Sequence, residues 1–147
     1  MSLIPDNTIV DGYFYTFVYR AKDGSIDVDE SPLIFCLGPS LKSDNCFVGL
    51  NFHKIPEKFR EILIKKMHQS RGILEKNGRW LFSAKVLNEF VPGAMIAVRE
   101  YNRKRVYHPF RIPSTEIPLY IYGDGKGRIS DNIDMKKFIY ERLKVKV

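Results

Sequence analysis

Hydrophobic positions fall into short runs before residue 53 and into helical spacing just after it. Gly12-Tyr-Phe-Tyr-Thr-Phe-Val-Tyr-Arg20 is aromatic and β-branched and starts at a glycine. It predicts a strand with Phe14, Thr16 and Val18 on one face and Tyr13, Tyr15, Phe17 and Tyr19 on the other. Two further apolar runs predict strands at 32–37 and 46–53. Their hydrophobicity is nearly continuous, as expected when both faces of a sheet are covered. Residues 21–31, with Asp23-Gly24 as a turn signal, read as an acidic surface loop.

Pro56 opens a helix: proline suits the first turn, Glu57 and Glu61 complement its positive end, and Lys65 and Lys66 fall toward the other end. Phe59, Ile62, Leu63 and Met67 repeat at helical spacing and predict the buried stripe, with Gly72 as the stop. A second helix is predicted over 79–90, with Trp80, Ala84 and Leu87 on one face, before Pro92-Gly93 breaks the chain. Strand character returns at 94–101, near 106–112 and near 118–122, and Ser130 or Asp131 can cap a last helix carrying Ile133, Met135, Phe138, Ile139 and Leu143.

This segregated order predicts an α+β fold rather than a regularly alternating parallel sheet. Short connections among the first three strands, with later strands to close against them, suggest a small, strongly bent antiparallel β-barrel (SH3-like) with two or three packed helices. A length of 147 residues suits one domain, 1–147, in which 130–147 form a C-terminal helix and basic tail. With 44% hydrophobic and 28% charged residues, wholesale disorder is not expected. No apolar run reaches the roughly 18 residues of a membrane span, and the first residues lack the basic and apolar regions of a secretory signal, so the expectation is an intracellular protein.

Charge changes the picture. Residues 1–53 hold 3 Lys+Arg against 7 Asp+Glu, whereas residues 54–147 hold 21 against 10. The formal net charge of +7 favours a polyanionic partner, with nucleic acid first and an anionic protein surface second. Arg99-Glu-Tyr-Asn-Arg-Lys-Arg-Val-Tyr-His-Pro-Phe-Arg111 concentrates this charge and interleaves it with aromatics. Phosphate contact by Arg99, Arg103, Lys104, Arg105 and Arg111, with base stacking on Tyr101, Tyr107 and Phe110, is the leading reading. Arg103, Lys104 and Arg105 would sit at a hairpin tip. A solvated turn whose aromatics face the core, or a protein-docking site, are the alternatives. Lys126 and Arg128, in Gly123-Asp-Gly-Lys-Gly-Arg128, extend the candidate set; the run lacks Walker spacing and reads as a turn.

Other chemistry is weaker. Cys36 and Cys46 each sit in an apolar run, where a free thiol behaves as a small hydrophobe; a disulfide between neighbouring strands is the alternative. No Cys-x-x-Cys accompanies the three histidines, so zinc is not expected, and no cofactor is implied. His53 and His108 read as core or hydrogen-bonded residues, and no Gly-x-Ser-x-Gly nucleophile motif occurs.

Three pieces of the chain carry a resemblance: Gly12-Tyr-Phe-Tyr-Thr-Phe-x-Tyr-x-Ala-Lys22, Ser31-Pro-Leu-Ile34, and Phe47-x-Gly-Leu-Asn-Phe-His53-x-Ile-Pro56-x-x-x-Arg60. Together with the later basic stretch they resemble a group of small tailed-bacteriophage proteins, of the kind labelled DNA-end protectors. The likeness covers roughly residues 12–112 and contains no catalytic residue. It departs in the acidic loop, where more aromatic residues would be expected before Pro32. It implies a packaging or virion protein that touches DNA ends or the head-tail region. The leading reading is a non-enzymatic protein of this kind that binds DNA, with RNA left as an alternative partner by the basic charge, made in the host cytoplasm and carried in the virion among other virion proteins. A neck or baseplate subunit that binds no nucleic acid is one competing reading. A small ribonuclease on a toxin-like SH3 barrel is another.

Asp23, Asp27, Asp29 and Glu30 lack the spacing and glycine of an EF-hand loop. Calorimetry with Ca²⁺ or Mg²⁺ is expected to show no stoichiometric binding at micromolar concentration; a clear one-to-one isotherm would establish a cage.

Overall fold

Alternating side chains on the aromatic strand of residues 14–19 have two separate places to go. The computed structural model describes residues 4–5, 8–20, 32–76, 79–113 and 116–121. In chain order the elements are β1 (Ile4–Pro5), β2 (Phe14–Tyr19), β3 (Ile34–Pro39), β4 (Cys46–Asn51), α1 (Glu57–Leu74), β5 (Glu75–Lys76), β6 (Arg79–Trp80), α2 (Ala84–Phe90), β7 (Val98–Asn102), β8 (Val106–Ile112) and α3 (Pro118–Ile121). The fold is α+β. An antiparallel sheet runs in the order β1-β8-β2-β3-β4-β7, and β5 pairs with β6 separately. The acidic loop, the helix expected over 130–147, Lys126 and Arg128 lie outside the described residues. Among the described residues no helix is long and apolar enough to cross a membrane.

Both faces of the sheet are covered, as the continuous hydrophobicity predicts. Phe14, Phe35, Leu50 and Phe52 join Leu63, Ile64 and Met67 of α1 and Leu87 of α2 in the larger core. Tyr15, Phe17, Tyr19, Ile34, Cys36, Phe47 and Tyr101 form a second cluster with Ile9. The expected alternation of β2 is therefore correct for Phe14 against Tyr15, Phe17 and Tyr19.

The sheet is strongly curled. β7 and β8 are four strand spacings apart in sheet order, about 19 Å if the sheet were flat. Only a 3-10 turn, Arg103–Arg105, joins them, and the links from Asn102 to Val106 reach at most about 14 Å when fully extended. Bulges bend the strands: the register slips between Cys36 and Gly38 on the β3–β4 ladder, and between Thr16 and Val18 on the β2–β8 ladder. Opposite the second slip, His108 takes a left-handed φ of 53° just before Pro109. At Gly49 a Cβ would lie 2.5 Å from the Ile34 methyl, so only glycine admits the close strand approach. β7 and β8 form no ladder with each other, so the expected barrel is not closed.

Several element boundaries differ from expectation. Helix α1 runs past Gly72 to Leu74, and its buried stripe is Arg60, Leu63, Ile64 and Met67, with Phe59 and Ile62 exposed. Apolar residues at 59, 62, 63, 64 and 67 support two overlapping stripes, and Arg60 decides between them. Only 6% exposed, it donates from Nε to the Ile55 carbonyl at 2.8 Å, from a terminal nitrogen to Ile121 at 2.6 Å and from the other to His53 at 3.4 Å. Burial lowers its pKa from the usual arginine range, with Glu57 opposing the shift. The expected helix over 79–90 is shorter: Arg79–Trp80 is extended, and α2 starts after Ser83, whose Oγ accepts from the Val86 amide at 3.2 Å. Ala94–Ala97 is a 3-10 turn ahead of β7, and residues 118–121 are a helical turn rather than a strand.

In a urea titration, Leu63→Ala is expected to cost about 2 to 5 kcal/mol, and Ile62→Ala less than about 1 kcal/mol. Equal losses would return Ile62 to the core.

Candidate nucleic-acid interface

The basic stretch straddles the curl. Asn102 caps the 3-10 turn, its Oδ1 accepting from the Lys104 amide at 2.9 Å. The Arg103 amide donates to the Asn45 carbonyl at the start of β4, 2.8 Å away, and the Arg105 carbonyl accepts from the Arg20 amide at the end of β2, 3.0 Å away. The turn thus ties two distant strand ends together. It is not the tip of a hairpin, because its flanking strands do not pair.

Guanidinium groups lie over the rings of the second aromatic cluster. Arg103 sits 5.3 Å from the Phe47 ring centre and donates to the Ile9 carbonyl at 3.2 Å. Arg105 lies 5.1 Å from the Tyr19 ring, and Arg111 lies 4.6 Å from Tyr13, which packs against the same cluster. Each such contact contributes about 0.5 to 2 kcal/mol. A guanidinium stacked by its face keeps its in-plane N–H edges for other acceptors. Arg99 and Lys104 are exposed; Arg99 donates to the carbonyls of Ile96 and Val98. Glu100, the acidic residue of β7, accepts from Ser40 Oγ at 2.6 Å. Among the described residues, none of Arg99, Arg103, Lys104, Arg105 and Arg111 is paired with a carboxylate.

The aromatic half of the expectation fares differently. Tyr101 is 5% exposed, stacked on Phe47 at 5.4 Å and edge-on to Tyr19 at 5.1 Å. It is a core residue and offers no face to a base. Tyr107 is 43% exposed, with the Arg20 guanidinium 5.0 Å from its ring centre. Arg20 is a neighbour that the linear reading missed: it lies 79 residues from Arg99 in the chain and joins the stretch only through the sheet.

Elsewhere the chemistry is structural. Asn51 Oδ1 accepts from the His53 amide at 2.9 Å, and His53 Nε2 donates to the Tyr120 carbonyl at 2.7 Å, as expected for a hydrogen-bonded histidine. Cys36 and Cys46 are both free thiols. Cys36 borders a cleft of about 320 Å³ walled by Leu37, Trp80, Leu81 and Phe82, with Asp11 at its rim. The Asp11 carboxylate is held by Arg79 at 2.7 Å. Gly12, at a φ of +92°, is required there because a Cβ would sit 2.9 Å from the Arg79 Cβ. Among the described residues no three His, Cys, Asp or Glu side chains are grouped to hold a metal ion.

Comparison of the chain with protein-family models, curated proteins and solved structures finds no match. The interface therefore stands on its own geometry.

Burial pushes the Cys36 thiol from 9.0 up to about 11. The folded state then keeps a proton that the unfolded chain releases, so the stability from this group is intact below pH 9 and is lost as pH rises toward about 11. Between pH 8 and pH 10.5 the native chain is expected to lose about 1 to 3 kcal/mol more than Cys36→Ala. Identical pH dependence of the two would place the thiol in contact with water.

Proposed function

We propose that this chain is a non-enzymatic DNA-binding protein that contacts phosphates through Arg99, Arg103, Lys104, Arg105 and Arg111. One observation carries the reading: these five cations are free of carboxylate partners among the described residues, and three of them are held in place over aromatic rings. Fixed cations lose less side-chain entropy when an anion arrives. The resemblance to small tailed-phage proteins gives the setting, a packaging or virion protein in which this face meets DNA, with Lys126 and Arg128 as further contributors from outside the described residues. The strand order, the strong curl and the 3-10 turn between β7 and β8 support reading the sheet as an SH3-like barrel left open on one seam.

A ribonuclease on the same scaffold would need a proton acceptor beside the cations. His108 is the histidine on that stretch, exposed and held at positive φ by the bulge. Loss of RNA cleavage in His108→Ala would favour the enzyme, whereas intact RNA after incubation with the native chain favours binding alone.

The structure changes how the cations should be removed. Alanine at 103 or 105 would uncover Phe47 or Tyr19, so glutamine, whose amide can still cover the ring, is the better replacement. In Arg103→Gln/Lys104→Gln/Arg105→Gln the slope of log affinity against log salt for duplex DNA is expected to fall by about 0.9 per lost contact, about 2.7 in all. An unchanged slope, with the fold intact by circular dichroism, would move the assignment to a structural virion subunit.

A further inference from the structure

We infer that the DNA bound by this face is double-stranded, gripped by its phosphates and not by its bases; the inference rests on the function proposed above. Proteins that hold single strands without sequence preference combine a basic groove with aromatic faces on which bases stack. The sequence supplies such aromatics, and the fold has already used most of them; Phe110 is half-buried on β8 opposite Thr16. Tyr101 is buried against Phe47 and Tyr19, while Phe47, Tyr19, Tyr13 and Tyr107 each lie beneath a guanidinium of this chain. On the face that each guanidinium covers, a base would have to displace an arginine, exchanging one ring contact for another and losing a positioned cation. What remains on offer is the guanidinium N–H groups of Arg99, Arg103, Arg105 and Arg111 together with the Lys104 ammonium. Those donors suit phosphate oxygens.

A surface limited to phosphate contacts distinguishes the two forms of DNA by charge density. Counterion release gives a slope of about 0.9 per contact on a duplex and about 0.7 on a single strand. With five contacts, the difference amounts to about one decade of affinity at about 0.1 M salt. Cations held over rings also suit phosphates already fixed in a duplex better than those of a flexible strand that must be ordered on arrival.

The test is fluorescence anisotropy of the full chain with a blunt duplex and with each of its two component strands, at several salt concentrations. The expected result is tighter duplex binding by about tenfold near 0.1 M salt, with the steeper slope on the duplex. A preference below about threefold, or tighter binding of either single strand, overturns the inference while leaving DNA binding in place; further weakening of the strand by Tyr107→Ala would then identify the ring that stacks. Absence of salt-dependent binding to any of the three overturns the proposed function itself.

Discussion

The short link between β7 and β8 governs the shape of this protein. Its three residues must join strands that sheet order puts at widely separated positions, and a chain cannot be longer than its peptide units allow. The sheet answers by curling, through bulges on two ladders and the close strand crossing that Gly49 permits. Curling brings together rings from strands that are not neighbours. Tyr19 of β2 meets Tyr101 of β7, and the Tyr19 hydroxyl accepts from the Asn102 amide at 3.0 Å. The second aromatic cluster, and the arginines laid over it, follow from that constraint.

The opposite face depends on a different device. The guanidinium of Arg60 reaches the carbonyls of His53 and Ile55 in the turn after β4 and that of Ile121 beyond β8, and so links the start of α1 to the turn before it and to a segment 61 residues away. Unmet carbonyls buried at that corner would each cost about 1 to 3 kcal/mol. Asn51, His53, Pro56 and Arg60 all serve the passage from sheet to helix. This part of the sequence, one of the three that carry the resemblance, is the corner of the scaffold.

Much of this scaffold is legible in the sequence, for a physical reason. Alternation on β2 and the dense apolar runs of β3 and β4 report local periodicity, which a strand imposes directly. The stripe of α1 is ambiguous because Ile62 and Ile64 flank Leu63, and a cation in the core is the feature hydropathy cannot anticipate. Trp80 looks helical by its spacing from Ala84 and Leu87, yet its amide is drawn to the Gly12 carbonyl at 2.9 Å, a contact set by tertiary structure. The cations of the candidate site are visible as a run in the sequence. The fate of their aromatic neighbours is not, because Tyr101 meets its partners only once β2, β4 and β7 have come together.

A cluster of arginines is usually neutralised in place by carboxylates, which would cancel the field it projects. Here the rings do the holding. A ring quadrupole attracts a guanidinium without carrying net charge, so Arg103, Arg105 and Arg111 are fixed in position while their positive charge remains. That arrangement costs some mutual repulsion among the cations, which solvent screens over about 10 Å at 0.1 M salt. The same packing that closes the aromatic cluster therefore fixes the direction in which the charge faces, and the absence of carboxylates on these five residues among the described part of the chain is what leaves that charge available to an anionic partner.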